Sequence, residues 1–281
     1  MLNIDLTGNI GDHLTRYALC RSVAEKNEYK WGINKVTSHD YFSGKEQMFF
    51  LDIDYGEPND TPYGQMPEGI SNVWEEKYEH YDTHDFYPFQ PDIFDIKDNT
   101  KLIVKCGQDA RYFNREKVKE YFKFKPEYTE QSEQTLKNND IEFDENLCVL
   151  NIRGGEYRGV PSLFLSKKYW DDAMKIMLEK NSEMRFIIIT EDPDYFRNFF
   201  NIPVHHFGIS TDYYCINHSQ NLILSNSAFA VFPTWTNNNV KNVIAPKHWA
   251  RHNLGIWANS SMWTFGELDN WNFLDKWGNL S

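Results

Sequence analysis

The chain has 281 residues, more than one hydrophobic core usually serves, so two domains are expected. Its 41 acidic and 29 basic side chains leave a net charge of −12. Nucleic acid and anionic membrane are thereby excluded as main partners, since both demand a basic footprint, although a local basic pocket for a nucleotide stays open.

The opening Met1-Leu2-Asn3-Ile4-Asp5-Leu6 has no positively charged start, and no run of about 18 apolar residues follows, so neither a signal peptide nor a membrane span is expected. A soluble, cytoplasmic protein is the expectation. Cys20, Cys106, Cys148 and Cys215 are far apart with no Cys-x-x-Cys, which favours free thiols over disulfides. Aromatic residues make up 16% of the chain, including nine Trp; most must be core, and any excess could stack on sugar rings.

Leu2 to Thr7 reads as a short strand, followed by Gly8-Asn9-Ile10-Gly11-Asp12-His13. Leu14, Tyr17 and Ala18 then recur at helical spacing, which predicts a helix to about Lys26 with Asp12 as its N-cap. Two glycines between strand and helix either bring the backbone close to a ligand or simply make a tight turn. Their spacing is not Gly-x-Gly-x-x-Gly, so a dinucleotide-dependent oxidoreductase is disfavoured.

Lys30 to Asn99 is less regular. Met48 to Ile53 is a strand candidate, and Gly56 to Gly69 is loop by its Gly, Pro and acidic content. His80 and His84 stand four apart, with His39 farther back, but no Glu follows His80, and Pro88 and Pro91 disfavour a long helix. No metal site is expected there. Leu102 to Lys105 is a strand and Arg115 to Phe122 a helix. The polar stretch Asn138 to Glu145 marks a boundary, giving domains 1–143 and 144–255 and a C-terminal segment 256–281.

The second half is more legible. Leu147 to Ile152 is a brief apolar run, hence a buried strand. Trp170, Ala173, Met174, Met177 and Leu178 form one stripe of an amphipathic helix, which is packing. Phe186 to Ile189 is a buried strand, Tyr195 to Phe200 a short helix, and Val204 to Phe207 a short strand. Leu222 to Leu224 and Val243 to Pro246 are further strands. Strands alternating with helices predict a parallel, doubly wound α/β sheet.

In such sheets ligands sit beyond the carboxyl ends of strands. Three strand ends here carry polar groups: Arg153 with Glu156, Glu191 with Asp192, and Asn226 with Ser227. A forked, permanently charged guanidinium suits phosphate; carboxylates suit ribose or base; small hydroxyl donors suit phosphate oxygens. The alternative for Arg153 is a structural turn in which it pairs with Glu156.

Asn151-Ile-Arg153-Gly-Gly-Glu156-Tyr157, Thr190-Glu191-Asp192, Asn226-Ser227-Ala228-Phe229 and Val243-Ile-Ala-Pro246 with Trp249 together resemble the α-1,2-fucosyltransferases of glycosyltransferase family 11 and, more loosely, the GT-B fucosyltransferases. Those enzymes carry His-x-Arg-Arg-x-Asp-Tyr, Ser-Asp-Asp and Asn-Ser-Ser-Phe at the corresponding strand ends. Gly8 to His13 running into Arg16-Tyr17-Ala18 is similar to the family's Gly-x-x-Gly-Asn-Gln opening, and Leu102 to Phe113 resembles its stretch before the domain boundary. Lys30 to Asn99 is unmatched. The chain departs from the pattern at Asn151 for His, Gly154 for the second Arg, Glu156 for Asp, and Asp12 and His13 for Asn and Gln.

The resemblance implies a GT-B fold with two Rossmann-like domains and a cleft between them, the first on the acceptor side and the second binding a nucleotide sugar, with the C-terminal segment packing back on the first. It implies an inverting, metal-independent glycosyltransferase that moves a sugar, L-fucose from GDP-fucose before others, to a hydroxyl of a glycan acceptor, with no cofactor beyond the donor. Another GDP-sugar or UDP-xylose as donor, or a non-catalytic glycan-binding protein, are the alternatives. Arg153 would neutralise the leaving diphosphate. Gly11, Glu156, Glu191, Asp192, Asn226 and Ser227 would complete donor binding, and Asp12 or His13 would assist loss of the acceptor's proton. Trp257, Trp263, Trp271 and Trp277 are candidates for stacking on sugar.

Overall fold

The computed structural model of the protein describes residues 1–34, 45–81, 84–255 and 264–281. These form two compact units, Met1–Lys125 and Pro126–Ser281.

In the first unit β1 (Leu2–Ile4) leads into α1 (Ile10–Lys26) and β2 (Trp31–Ile33). Then come β3 (Asn72–Glu75), the hairpin β4 (Glu79–Tyr81) and β5 (His84–Phe86), β6 (Thr100–Ile103) and α2 (Arg115–Tyr121). β2, β1, β6 and β3 lie side by side in that order, all parallel, with Leu2 opposite both Trp31 and Thr100. Leu14, Tyr17, Ala18 and Leu19 of α1 are fully buried. Tyr17 meets Trp31 and Tyr121 edge-on at 5.5 and 6.2 Å, so a share of the aromatic excess is core here.

Two expectations from the sequence change in this unit. The N-cap of α1 is Asn9, not Asp12. Asp12 sits a turn later, where its carboxylate accepts the Asn9 backbone N–H at 3.1 Å and so satisfies a donor at the helix start. The Met48–Ile53 strand is absent: Met48 ends a 3₁₀ turn, and Phe50 and Leu51 are buried in the irregular chain that follows. A short apolar run signals burial without fixing the backbone. His80 and His84 stand on β4 and β5, the two strands of one hairpin, where the sequence disfavoured a long helix, and His39 lies outside the described residues.

The second unit comprises α3 (Pro126–Asn138), β7 (Leu147–Asn151), α4 (Lys167–Lys180), β8 (Arg185–Ile189), α5 (Pro193–Phe196), β9 (Val204–His205) and α6 (Ile209–His218). It continues with β10 (Asn221–Leu224), α7 (Ala228–Thr236), β11 (Asn242–Pro246), α8 (Thr264–Leu268) and β12 (Asn272–Leu274). Its six strands are all parallel, in the order β12-β11-β10-β7-β8-β9. This is the doubly wound order of dinucleotide-binding sheets, and the direction of travel reverses between β7 and β10. Cys148 and Leu150 of β7 pack with Ile188, Ile223 and Ile244 against Trp170, Ala173 and Met177 of α4. Leu147 and Val149 between them are equally buried, so both faces are covered, as the continuous apolar run requires. Leu178, assigned to the α4 stripe from the sequence, is exposed.

The unit boundary falls at Lys125/Pro126 rather than 143/144. α3 belongs to the second unit: Ser132 and Leu136 are buried, and the Ser132 hydroxyl lies 3.1 Å from that of Thr211 on α6. The C-terminal residues also join the second unit. β12 pairs with β11, Ile244 opposite Asn272, so this stretch extends the second sheet by one strand. Trp257 and Trp263 lie outside the described residues; Trp271 is buried and Trp277 exposed.

Candidate active site

The reversal of strand order places the ends of β7 and β10 on either side of the sheet's natural ligand crevice. The two ends are tied together: the Ser225 backbone N–H donates to the Asn151 carbonyl at 3.0 Å, and the Ser225 hydroxyl donates to the Asn151 side-chain oxygen at 3.3 Å. Asn151, where the family's pattern has His, is thus a buried brace. Beyond it Arg153 projects from the end of β7. Its Nη1 donates to Glu191 Oε1 at 2.7 Å, and its Nη2 donates to Glu156 Oε1. A strand-end cation and a pair with Glu156 are therefore not exclusive readings of Arg153, because both carboxylates hold the one guanidinium.

A 3₁₀ turn, Gly155–Gly159, follows. Gly155 has φ +50, in the left-handed region that glycine enters without penalty. A Cβ on Gly154 would stand 2.8 Å from Asp192 Cβ and 2.9 Å from Phe196, so no side chain fits where the family pattern has a second arginine. The two amides use this closeness: Gly154 N–H donates to Glu191 Oε1 at 3.1 Å and Gly155 N–H to Asp192 Oδ2 at 3.4 Å. The turn also returns Arg158 to the same place, its Nε 2.9 Å from Asp192 Oδ2 and its guanidinium 4.4 Å above the Tyr195 ring. Arg158 was not singled out from the sequence. The signal available was its place in the same glycine-bounded loop, but only the turn geometry points it at Asp192. Desolvation works against ionisation of Glu156, yet its backbone hydrogen bond and Arg153 outweigh this and hold the carboxyl below its ordinary value.

At the end of β10, Ser227 is the N-cap of α7, a position where helix amides and dipole favour an anion. Asn226 is fully buried, and its amide donates to the carbonyls of Leu163 and Trp249 at 2.9 and 2.5 Å, bracing two loops around Ser227. Beyond β9 a second unpredicted pair appears: His206 Nδ1 lies 2.6 Å from Asp212 Oδ2, and the Phe207 N–H donates to Asp212 Oδ1 at 2.9 Å.

The remaining candidates lie in the first unit. Gly11 is inside α1, its carbonyl accepting the Thr15 hydroxyl at 2.8 Å. Asp12 Oδ1 accepts from Gln108 Nε2 at 3.0 Å, and burial, only partly offset by Arg16, raises its carboxyl above the ordinary value. His13 is fully buried in the core of this unit, so its ring has no solvent-facing edge. The loop carrying Gln108 is firmly held. Buried Arg16 donates to the carbonyls of Thr7, Val104 and Lys105, and buried Glu76 accepts the N–H groups of Lys105, Cys106 and Gly107. Among the described residues no group of three or more His, Cys, Asp or Glu side chains is arranged to hold a metal ion, and no helix is long and apolar enough to cross a membrane.

Parallel sheets with helices between their strands, and a strand-order reversal flanked by arginine and a helix start, define a Rossmann-like α/β class. No protein-family model and no curated protein sequence matches the chain. Among solved structures, the chain is similar to the NodZ α-1,6-fucosyltransferase soaked with GDP-fucose, at 11% identity and a TM-score of 0.51, over 87% of this chain and 94% of that one. NodZ co-crystallised with GDP gives 11%, 0.50 and the same coverage. The apo form of POFUT1 gives 8% and 0.48, over 85% and 94%. The fold is that of the GT-B fucosyltransferases.

Proposed function

We propose that the protein is an inverting, metal-independent glycosyltransferase, most specifically one that moves L-fucose from GDP-fucose to a hydroxyl of a glycan acceptor. The observation that carries this is Arg153, held at the strand-order reversal between two carboxylates and beside two glycine amides. The fold shared with NodZ, a fucosyltransferase solved with GDP and with GDP-fucose, supports the choice of donor.

In the reaction the acceptor oxygen bonds to C1 of the sugar while the C1–O bond to the diphosphate breaks, and GDP leaves with the bonding pair. Negative charge grows on the diphosphate. Arg153, once it turns from its carboxylates, and the α7 N-terminus behind Ser227, whose amides are already in place, neutralise it. Glu191 and Asp192, once their arginines turn to the phosphates, accept the ribose hydroxyls, the part taken by the acidic residue at the second strand end of dinucleotide sheets. In the first unit the candidate for assisting loss of the acceptor's proton is Asp12, whose carboxyl burial raises above its ordinary value.

The test is calorimetric titration with GDP, UDP and CMP, followed by transfer assays with the sugar nucleotide of the winning base. GDP should win. Arg153→Ala should weaken its binding by at least tenfold, since charge-assisted bonds are worth about 1.5–3 kcal/mol each. Asp12→Asn should lower kcat with GDP affinity unchanged, and EDTA should leave turnover intact. Binding of oligosaccharide without any nucleotide would replace this reading with a glycan-binding protein, and tighter binding of UDP would replace the donor.

A further inference from the structure

Two adjacent carboxylates at the end of β8 are held by matching sets of donors from the loop after β7. Glu191 Oε1 takes Arg153 Nη1 at 2.7 Å and Gly154 N–H at 3.1 Å. Asp192 Oδ2 takes Gly155 N–H at 3.4 Å, with Arg158 Nε 2.9 Å away. Gly154 N–H and Gly155 N–H are successive amides, the second in left-handed backbone, each turned to one of the two carboxylates; amides so placed make an anion-binding concavity, and a guanidinium stands at each end of this one. Both guanidiniums rest against rings, Arg153 at 5.3 Å from the Tyr157 centroid and Arg158 at 4.4 Å from that of Tyr195. That contact fixes their planes without consuming a donor.

We infer that Arg153, Gly154 N–H, Gly155 N–H and Arg158 form a single two-lobed cradle for a diphosphate, in which Arg158 is the second cation and the carboxylates of Glu191 and Asp192 are internal anions that the diphosphate displaces. The inference rests on the proposed function and deepens it. Position 154 admits no side chain, so a second cation has to reach the cradle from farther along the loop, and the 3₁₀ turn brings Arg158 there. The pairs it makes are open to exchange. Arg158 and its partner Asp192 are 41% and 21% exposed, Arg153 and Glu191 22% and 35%, and ion pairs that reach solvent in this way are weakly held. A diphosphate carries more charge than either carboxylate and meets both lobes together, whereas each carboxylate meets one.

Inorganic pyrophosphate is the probe, because it has the diphosphate and no ribose that could use the freed carboxylates. Its affinity is measured by calorimetry at fixed ionic strength for the wild type and for Arg158→Gln, Arg158→Lys and Asp192→Asn, with melting temperature as a check on folding. Arg158→Gln is expected to bind at least about tenfold more weakly, from loss of charge-assisted bonds. Arg158→Lys should recover part of the loss, and Asp192→Asn should bind several-fold more tightly. Wild-type affinity in a folded Arg158→Gln protein overturns Arg158 as the second cation, and weaker binding by Asp192→Asn overturns the role of internal anion. If the folded wild type binds neither pyrophosphate nor GDP, the proposed function fails as well. If both bind and only Arg153→Ala abolishes it, this inference alone fails.

Discussion

Acid should loosen the second unit through one histidine. His252 is 3% exposed, and neither ring nitrogen has a hydrogen-bond partner among the described residues. Its neighbours are the Tyr169 ring at 5.3 Å and the His248 ring at 6.3 Å. Burial, then the nearby His248, push its pKa down from 6.5 to about 4, with Asp275 acting weakly the other way. As pH falls below 6.5 the unfolded chain takes the proton and the folded chain refuses it until about 4, so stability declines through that window and then levels. Integrating the linkage gives a loss of about 2 kcal/mol between pH 7 and 5, and about 3 kcal/mol by pH 4. The loop involved is the one that braces the candidate site. Asn253 Nδ2 donates to the Phe164 carbonyl at 2.7 Å, and Asn226 holds both this loop, at Trp249, and the loop after β7, at Leu163. Urea unfolding across that pH range should show the loss in the wild type, and His252→Phe, which has nothing to protonate, should flatten it. A His252→Phe protein that keeps the full wild-type dependence would refute the reasoning.

Other consequences follow from buried or paired charges elsewhere. Lys101 is buried in the first unit with its Nζ 2.7 Å from Asp5 Oδ2, while Asn34 and Gly64 donate to Asp5 Oδ1. Lys101→Met leaves that carboxylate without its counter-charge and should cost about 3–5 kcal/mol in urea unfolding; a change below about 1 kcal/mol would show that the aspartate is solvated in some other way. The hydrogen bond to Asp212 raises the pKa of His206, with Glu191 adding to the rise and partial burial opposing it. The stabilisation from this pair is therefore complete below the ordinary histidine value of 6.5 and is lost as pH climbs through the raised value. An NMR titration of His206 should lie above 6.5 and drop on Asp212→Asn; no drop would remove Asp212 as the cause.

The most legible strands in the sequence were those carrying an unbroken apolar run. Leu147–Asn151, Arg185–Ile189 and Asn242–Pro246 each carry a continuous apolar run, and burial alone dictates such runs. β2 and β3 escaped because Trp31-Gly-Ile and Asn72-Val-Trp-Glu are too short to establish a period and have polar or glycine interruptions. α3 escaped for a different reason. Of its thirteen residues only Ser132 and Leu136 are buried, so its apolar stripe is too thin to mark a helix, and the domain boundary moved with it. α7 is apolar nearly all round and contains Pro233, which hides a helix from a periodicity test. The strand-end clustering of Arg153, Glu191 and Asp192 followed from topology and was legible from the strand pattern alone. What Gly154 and Gly155 do was not legible, because a glycine's use depends on which atoms approach it.

The charge arithmetic of the site bears on a protein that carries a net −12 and is nonetheless proposed to hold a polyphosphate. At the ends of β7 and β8, Arg153 and Arg158 face Glu156, Glu191 and Asp192, so even this neighbourhood has more carboxylates than guanidiniums. Long-range attraction therefore contributes nothing to capturing the donor, and association should not be accelerated at low salt as it is for basic proteins. Affinity has to come from short-range geometry: fixed amides, guanidiniums clamped on rings, and a helix start, all acting within hydrogen-bond distance where salt screens little. The same arrangement sets a condition on release. In the proposed reaction, once the sugar has moved, Glu156, Glu191 and Asp192 are the anions that take the arginines back, so carboxylates that compete with donor binding would also lower the cost of losing the nucleotide. In the metal-independent transfer proposed above no cation departs with the product, and an internal anion that reclaims the cradle would supply that step from the chain itself.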